Sequence, residues 1–277
     1  MSKYLETNPV VVGVDGSESA LRAARWAADR AVQRGVGLRL VHAFELPVTP
    51  SSDGVTDPSV RELLHRQGTT WLASTRAAAG KVAPGLSIEA ISADASADAL
   101  LIEVSASASL VVLGSRGLGG LAGLVIGSTA TAVACRGHCP VLVLRGEIPA
   151  GGPVVVGVDG TASSDSAVAF AFAEAELRGA ELLAVHSSED GLVDEARQVL
   201  ADRLTGWEQK YPDVHVTRVV VHDKPPSALL ANATNAQLVV VGTRGRGAFR
   251  GLVLGSTSQH LLHHAPCPVT VVRDGCA

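Results

Sequence analysis

The chain has 277 residues, 47% of them apolar and 18% charged, with a formal net charge of −4. That length suits one large domain or two of ordinary size, with ample material for a core. The slightly acidic balance offers no basic surplus for nucleic acid, and no apolar run reaches the ~18 residues of a membrane span.

Aromatic residues are only 3%. The core must therefore be built from Val, Leu, Ile and Ala, a composition typical of helices packed on a parallel sheet. Four cysteines make no disulfide framework, and the N-terminal MSKYLETNPV has no apolar signal core. Both features lead us to expect a cytoplasmic protein.

The predicted elements alternate from the start. PVVVGV (9–14) reads as a strand, and SALRAARWAADRAVQRG (19–35) as an amphipathic helix closed by Gly35. LRLVHAF is a second strand. PVTPSSDGVTDPS (47–59), rich in Pro, Ser and Asp, is a loop that is either a lid or a surface excursion. A helix over roughly 59–81 carries Trp71. LSIEAIS is a third strand, ADALLIEVSAS a helix and SLVVLG a fourth strand. GSTATAVACRG starts another helix, and PVLVLR is the fifth strand. Short Val- and Leu-rich runs between helices imply a parallel sheet covered on both faces.

The whole pattern then recurs. VVVGVDGS (10–17) returns as VVVGVDGT (154–161), so Asp15 corresponds to Asp159 at an offset of 144. Gly114 corresponds to Gly242, and CPVLVLR (139–145) to CPVTVVR (267–273), at an offset of 128. The first copy is thus 16 residues longer between its second strand and the glycine-rich stretch, most of it in the 47–59 segment. GEIPAGGP (146–153) reads as the linker, giving expected domains of 1–147 and 153–277.

The stretch after each fourth strand carries the chemistry. LGSRGLGGLAGLVIGST (113–129) and VGTRGRGAFRGLVLGST (241–257) share the skeleton Gly-x2-Gly-x9-Gly-Ser. Open α/β sheets bind ligands beyond the carboxyl ends of their strands, where strand order reverses. Glycine permits positive φ and close backbone approach. Successive N–H groups in such turns, and the helix N-terminus at Ser128 or Ser256, favour an anion such as phosphate. The stretch is neither a Walker A loop, which needs G-x4-G-K-S/T, nor a dinucleotide fingerprint. Within the x9 segment only the second copy is charged, by Arg246 and Arg250, so the second site is expected to bind its anion more tightly, or at least with a steeper salt dependence.

GVDGS after the first strand, VHA in the second, GSRG…GS after the fourth and CPVLVLR in the fifth resemble the universal stress protein family, in its tandem form. The resemblance covers nearly the whole chain. It implies an α/β, Rossmann-like, adenine nucleotide alpha hydrolase-like fold in each half: an open-twisted five-stranded parallel sheet, strand order 3-2-1-4-5, with helices on both faces. It also implies ATP, with Mg, in members that carry the motif. The first site would use Gly13, Asp15, Ala43, Leu113, Gly114, Gly117, Gly127, Ser128 and Thr129. The second would use Gly157, Asp159, Ser187, Val241, Gly242, Gly245, Gly255, Ser256 and Thr257, and Arg250 joins them on the arginine–phosphate chemistry above, not on the resemblance. The aspartates would stand beside ribose and adenine. Further implications are dimer-like packing through the fifth strands, self-association and a regulatory protein partner.

Plainer readings stand beside these. Asp15 and Asp159 suit the N-terminal capping of a helix. Arg116 and Arg244 suit phosphate, solvent or a subunit contact. His42 and His186, in equivalent strands, read as hydrogen-bonded structural residues. His260, His263 and His264 have helical spacing, but the first copy has Ala132, Cys135 and Arg136 there, so a metal site is not expected. Cys139 and Cys267, each before a proline, read as buried structural cysteines. We therefore expect an ATP-binding regulator in stress or dormancy. The alternatives are a slow ATPase or phosphotransferase, and a scaffold with vestigial sites.

Overall fold

The computed structural model describes residues 8–46, 58–117, 126–146, 148–188, 193–245 and 254–275. They fall into two compact units, Met1–Val133 and Ala134–Ala277. Residues 47–57, most of the predicted Pro/Ser/Asp loop, lie outside the described residues.

The first unit holds β1 (Val10–Gly13), α1 (Glu18–Arg34), β2 (Leu38–Phe44), α2 (Pro58–Val82), β3 (Ile88–Asp94), α3 (Ala97–Ser105) and β4 (Leu110–Gly114). Its strands are parallel in the order β3-β2-β1-β4. Val10, Val11 and Val12 are fully buried, as a central strand covered on both faces requires. α1 presents Ala20, Ala23, Ala24, Ala27, Ala28 and Ala31 to the interior, all at helical spacing. The small side chains let the helix lie close on the sheet. Gly35 ends α1 in the left-handed region, φ 68°, with its N–H bonded back into the last turn. β3 runs on to Asp94, two residues past the predicted strand, because its ladder with β2 continues to Phe44.

α4 (Ser128–Arg136) starts in the first unit and ends in the second. The second unit continues with β5 (Val141–Leu144), β6 (Val154–Gly157), α5 (Ala162–Arg178), β7 (Leu182–Ser187), α6 (Val193–Lys210), β8 (Val216–Val221), α7 (Pro225–Asn232), β9 (Leu238–Gly242), α8 (Ser256–His264) and β10 (Val269–Val272). Its parallel strands run β8-β7-β6-β9-β10, the predicted 3-2-1-4-5 order. β5 adds to β10 antiparallel, Val143 opposite Val269. Two fifth strands thereby satisfy each other's edge N–H and C=O groups. β10 is hydrogen-bonded on both sides, to β5 and to β9. Arg145, just past β5, donates from Nη1 to the Leu262 carbonyl in the last turn of α8. A cation there complements the negative end of the helix. No helix among the described residues is long and apolar enough to cross a membrane.

The two copies differ inside their first helices. In α5, Glu174 Oε2 accepts from Arg178 Nε at 3.0 Å and Nη2 at 2.6 Å, and both side chains are 1% exposed. At the 144 offset, α1 has Arg30 and Arg34. Removing one charge of a buried pair costs about 3–5 kcal/mol, because the other charge remains in a poorly solvating interior. Glu174→Gln should therefore lower the unfolding free energy by about 3 kcal/mol or more, read from urea denaturation. A change below about 0.5 kcal/mol, typical of a surface substitution, would refute that role.

Near the end of α8, burial holds the His263 pKa below its ordinary 6.5, with His264, Arg145 and His260 acting in the same direction. Above 6.5 the ring is neutral in both folded and unfolded chains. Below it the unfolded chain takes up the proton first, so stability falls as pH drops from 6.5 through the folded value. The urea midpoint should decline over that window, and less so in His263→Gln. An equal decline in both chains would assign the effect to other groups.

Candidate functional site

The site begins where β1 gives way to α1. Gly16 takes φ 84°, which turns the chain sharply after Asp15. Asp15 Oδ1 accepts from the Ser17 N–H at 3.0 Å and the Ser17 hydroxyl at 2.6 Å. Ser17 Oγ in turn accepts from the Ala20 N–H at 3.1 Å and is the N-cap of α1. The serine caps the helix and the aspartate orients the serine. The second copy repeats this with Thr161 as N-cap, and Asp159 Oδ1 accepting from Thr161 N at 2.9 Å and Oγ1 at 2.7 Å.

The other carboxylate oxygen faces the glycine turn. A Cβ on Gly117 would overlap Asp15 Oδ2, and one on Gly245 would lie 2.8 Å from Asp159 Oδ2. Asp15 and Gly117 thus meet across the gap between the ends of β1 and β4, where strand order reverses. The glycines of the motif were expected to serve positive φ or ligand approach. Among those described, none has positive φ. Gly114 makes room for Ser19, Gly117 for Asp15, and Gly255 for the Thr243 carbonyl. Gly13 makes room for Leu113 and Leu101. Their bareness first serves the close packing of protein on protein. Among the described residues nothing lies within 4 Å of where a Cβ on Gly127 would be.

Each turn is closed by a backbone bond at its base. Gly127 N–H donates to the Ser115 carbonyl at 3.1 Å, and Gly255 N–H to the Thr243 carbonyl at 2.8 Å. The closures deliver the N-termini of α4 and α8 to the ends of β4 and β9. α8 starts from Gly255 without a side-chain cap, so its first N–H groups have no hydroxyl or carboxylate of their own cap. Ser258 Oγ donates to the Gly242 carbonyl at 2.6 Å and ties α8 to β9.

A cavity of about 640 Å3 opens in the first unit between these elements. It is lined by Gly13, Asp15, Ala43, Leu113, Gly114, Gly117, Gly127, Ser128 and Thr129, all nine first-site candidates. Val14, Val41, Ala97 and Leu101 add to its apolar wall, and Ala20, Ile126 and Ala130 also border it. Arg116 lines it too and is exposed. The α3 residues Ala97 and Leu101 were missed by the sequence reading. Their available signal was that the helix after the third strand must return over the end of β1. Its lining combines apolar side chains with the polar Asp15, Arg116, Ser128 and Thr129, and its volume is in the size range of small-molecule sites.

Among the described residues, the second unit reproduces part of this. Asp159 meets Gly245, and Gly157 lies against Val241 and Leu229. Gly242 and Gly255 are joined to α8 and Thr243 as above. Ser256 and Thr257 open α8. The Ser187 hydroxyl donates to the Asp223 carbonyl. Arg246 and Arg250 lie outside the described residues. A cavity of about 450 Å3 sits beside Asp159, but its other walls are Gly160, Thr161, Val199, Asp202 and Arg203, none of them second-site candidates.

The remaining polar residues take structural places. His42 Nδ1 and His186 Nδ1 stand 2.7 Å from the Val14 and Val158 carbonyls, and both rings are buried. A carbonyl only accepts, so Nδ1 carries the proton in each. Cys139 and Cys267 are buried, and burial pushes the Cys267 thiol up to about 12, so it stays protonated. His260 and His264 lie close on α8, their ring centroids 4.4 Å apart and their planes tilted by 41°.

The chain is similar over its whole length to known proteins. A universal stress protein of Mycobacterium tuberculosis is 38% identical, with 99% of this chain and 100% of that protein covered. A second from the same organism is 36% identical, with 96% of each covered. The crystal structure of a universal stress protein from Archaeoglobus fulgidus superposes with a TM-score of 0.77 at 23% identity over 98% of each chain, a likeness of fold. The model of the universal stress protein family matches residues 6–145 and again 152–273. Matched in both copies and over nearly all its length, this chain belongs to the universal stress protein family.

Proposed function

We propose that the chain binds ATP, one molecule in each copy, and acts in the cytoplasm as a nucleotide-dependent regulator in the stress or dormancy response. The observation that carries this reading is the 640 Å3 cavity bordered by all nine first-site candidates. Its chemistry suits an adenine nucleotide from end to end. The apolar wall of Val41, Ala43, Leu101 and Leu113 offers a slot for a flat base. Asp15, an acceptor already oriented by Ser17, suits ribose hydroxyls. The Gly114–Gly117 backbone, the start of α4, the Ser128 and Thr129 hydroxyls and Arg116 suit a polyphosphate. Mg would ride on the phosphate oxygens and water, with those hydroxyls in reach. The same roles fall on Asp159, Val241, Gly242, Gly245, Gly255, Ser256 and Thr257 in the second copy.

Regulation is preferred to turnover because the only Gly-Lys pair, Gly80-Lys81, lies in the last turn of α2 and not in a phosphate loop. A regulator acts by presenting different surfaces with and without its ligand. Any association of chains through the fifth strands, or with a protein partner, must use surfaces other than the β10 edges, which are both filled.

The decisive experiment is nucleotide content. The chain is purified without added nucleotide and denatured, and the released nucleotides are quantified by chromatography. Gly117→Asp adds a Cβ in the space of the Asp15 carboxylate and a like charge beside it, and Gly245→Asp does the same at Asp159. The wild-type chain should release close to two ATP, each single variant close to one, and the double variant none. A wild-type chain that carries no nucleotide and takes up none on titration would overturn this reading in favour of a scaffold.

A further inference from the structure

The two Asp-Gly turns are built alike and braced differently. Gly16 and Gly160 have φ of 84° and 80°, and each stands between the site aspartate and the helix cap. In the first unit Trp71, from α2, closes off the back of Gly16. A Cβ there would fall among the Cε2, Cδ2 and Nε1 atoms of the indole. The indole also meets the His42 ring edge-on at 5.4 Å, and that ring holds the Val14 carbonyl. The brace is aromatic and carries no charge.

In the second unit α6 meets the corresponding turn with a cation. Arg203 Nη2 donates to the Gly160 carbonyl at 2.6 Å, and Nη1 donates to Asp165 Oδ2 at 2.7 Å. Asp165 lies in the first turn of α5, the helix capped by Thr161. One guanidinium therefore spans the Gly160–Thr161 peptide, one residue after Asp159, and the helix that follows the turn. It borders the 450 Å3 cavity together with Asp159 itself.

We propose that Arg203 is the positioning residue of the second nucleotide site, an inference that rests on the ATP reading above. By holding the Gly160 peptide, Arg203 sets the direction in which Asp159 presents its carboxylate to Gly245. The planar fork serves both acceptors at once, which a lysine ammonium cannot do in the same geometry. Trp71 performs the equivalent task in the first unit by packing alone. The two sites then differ in what disturbs them: the second depends on a half-exposed ionic contact, which salt screens, and the first does not.

Calorimetric titration with ATP tests this in single-site backgrounds. Gly117→Asp leaves the second site alone, and Gly245→Asp leaves the first. Arg203→Ala should weaken second-site binding about tenfold, the loss expected of one charge-assisted hydrogen bond. It should leave first-site binding unchanged. Trp71→Phe should do the reverse. Millimolar guanidinium ion should restore second-site affinity to Arg203→Ala, which a general loss of stability would not allow, and Arg203→Lys should recover only part. Asp165→Asn, which keeps Arg203 in place and weakens one of its two contacts, should give a smaller loss in the same site. Equal second-site affinity in wild type and Arg203→Ala, or a loss that guanidinium leaves untouched, overturns the assignment. Absence of ATP binding in the chain with both glycines intact overturns the nucleotide reading, and this inference with it.

Discussion

The contact between an aspartate carboxylate and a bare glycine backbone organises each half of this protein. Asp15 follows β1, Gly117 follows β4, and the two approach so closely that no Cβ fits between them. β1 pairs with β2 on one side and with β4 on the other, and the chain leaves β1 through α1 toward β2 but leaves β4 toward α4. A gap must open at their ends. The carboxylate sits in that gap and is held from behind by Ser17, which also starts α1. Sheet topology, helix capping and site geometry thereby meet in one residue. Asp159, Gly245 and Thr161 repeat the arrangement.

The duplicated framework has been kept and its surroundings have diverged. Strands, caps, the buried histidines and the backbone bond at the base of each glycine turn are reproduced almost atom for atom. What touches the framework is not. Trp71 stands behind one turn and Arg203 behind the other. Arg30 and Arg34 in α1 have Glu174 and Arg178 as counterparts. Ala43 has no polar side-chain atom, whereas Ser187 spends its hydroxyl on the Asp223 carbonyl. Under the two-site reading proposed above, such differences at equal backbones would give the copies different responses, since affinity depends on how firmly the contacting groups are held.

Most of the architecture was legible in the amino-acid order. The alternation of Val-rich runs with helical periods, the Gly35 stop and the two constant offsets between copies all translate directly into elements. So did the meeting of Asp15 with the glycine turn, because strand order in such sheets confines a site to the switch point. The reason for the glycines was not legible. Positive φ was one local expectation and is absent at the described motif glycines, whereas the neighbours that crowd them, Ser19, Asp15, Leu113 and the Thr243 carbonyl, come from elsewhere in the chain. The return of α3 over the end of β1 was legible, but not that Ala97 and Leu101 are its residues in the cavity wall, since nothing in α3 distinguishes a residue that faces a cavity from one that faces the core.

The division has a simple physical origin. Helix caps, side-chain periodicity and turns depend on residues within a few positions of each other, so the sequence by itself determined the elements, their order and their duplication. The space beside a glycine, the group that braces a turn and the partner of a buried charge depend on side chains brought from far along the chain. Asp15 and Gly117 lie about a hundred positions apart, and Gly160 and Arg203 more than forty. Only the tertiary structure decided those contacts, because close packing admits one arrangement of neighbours and the local pattern is compatible with many.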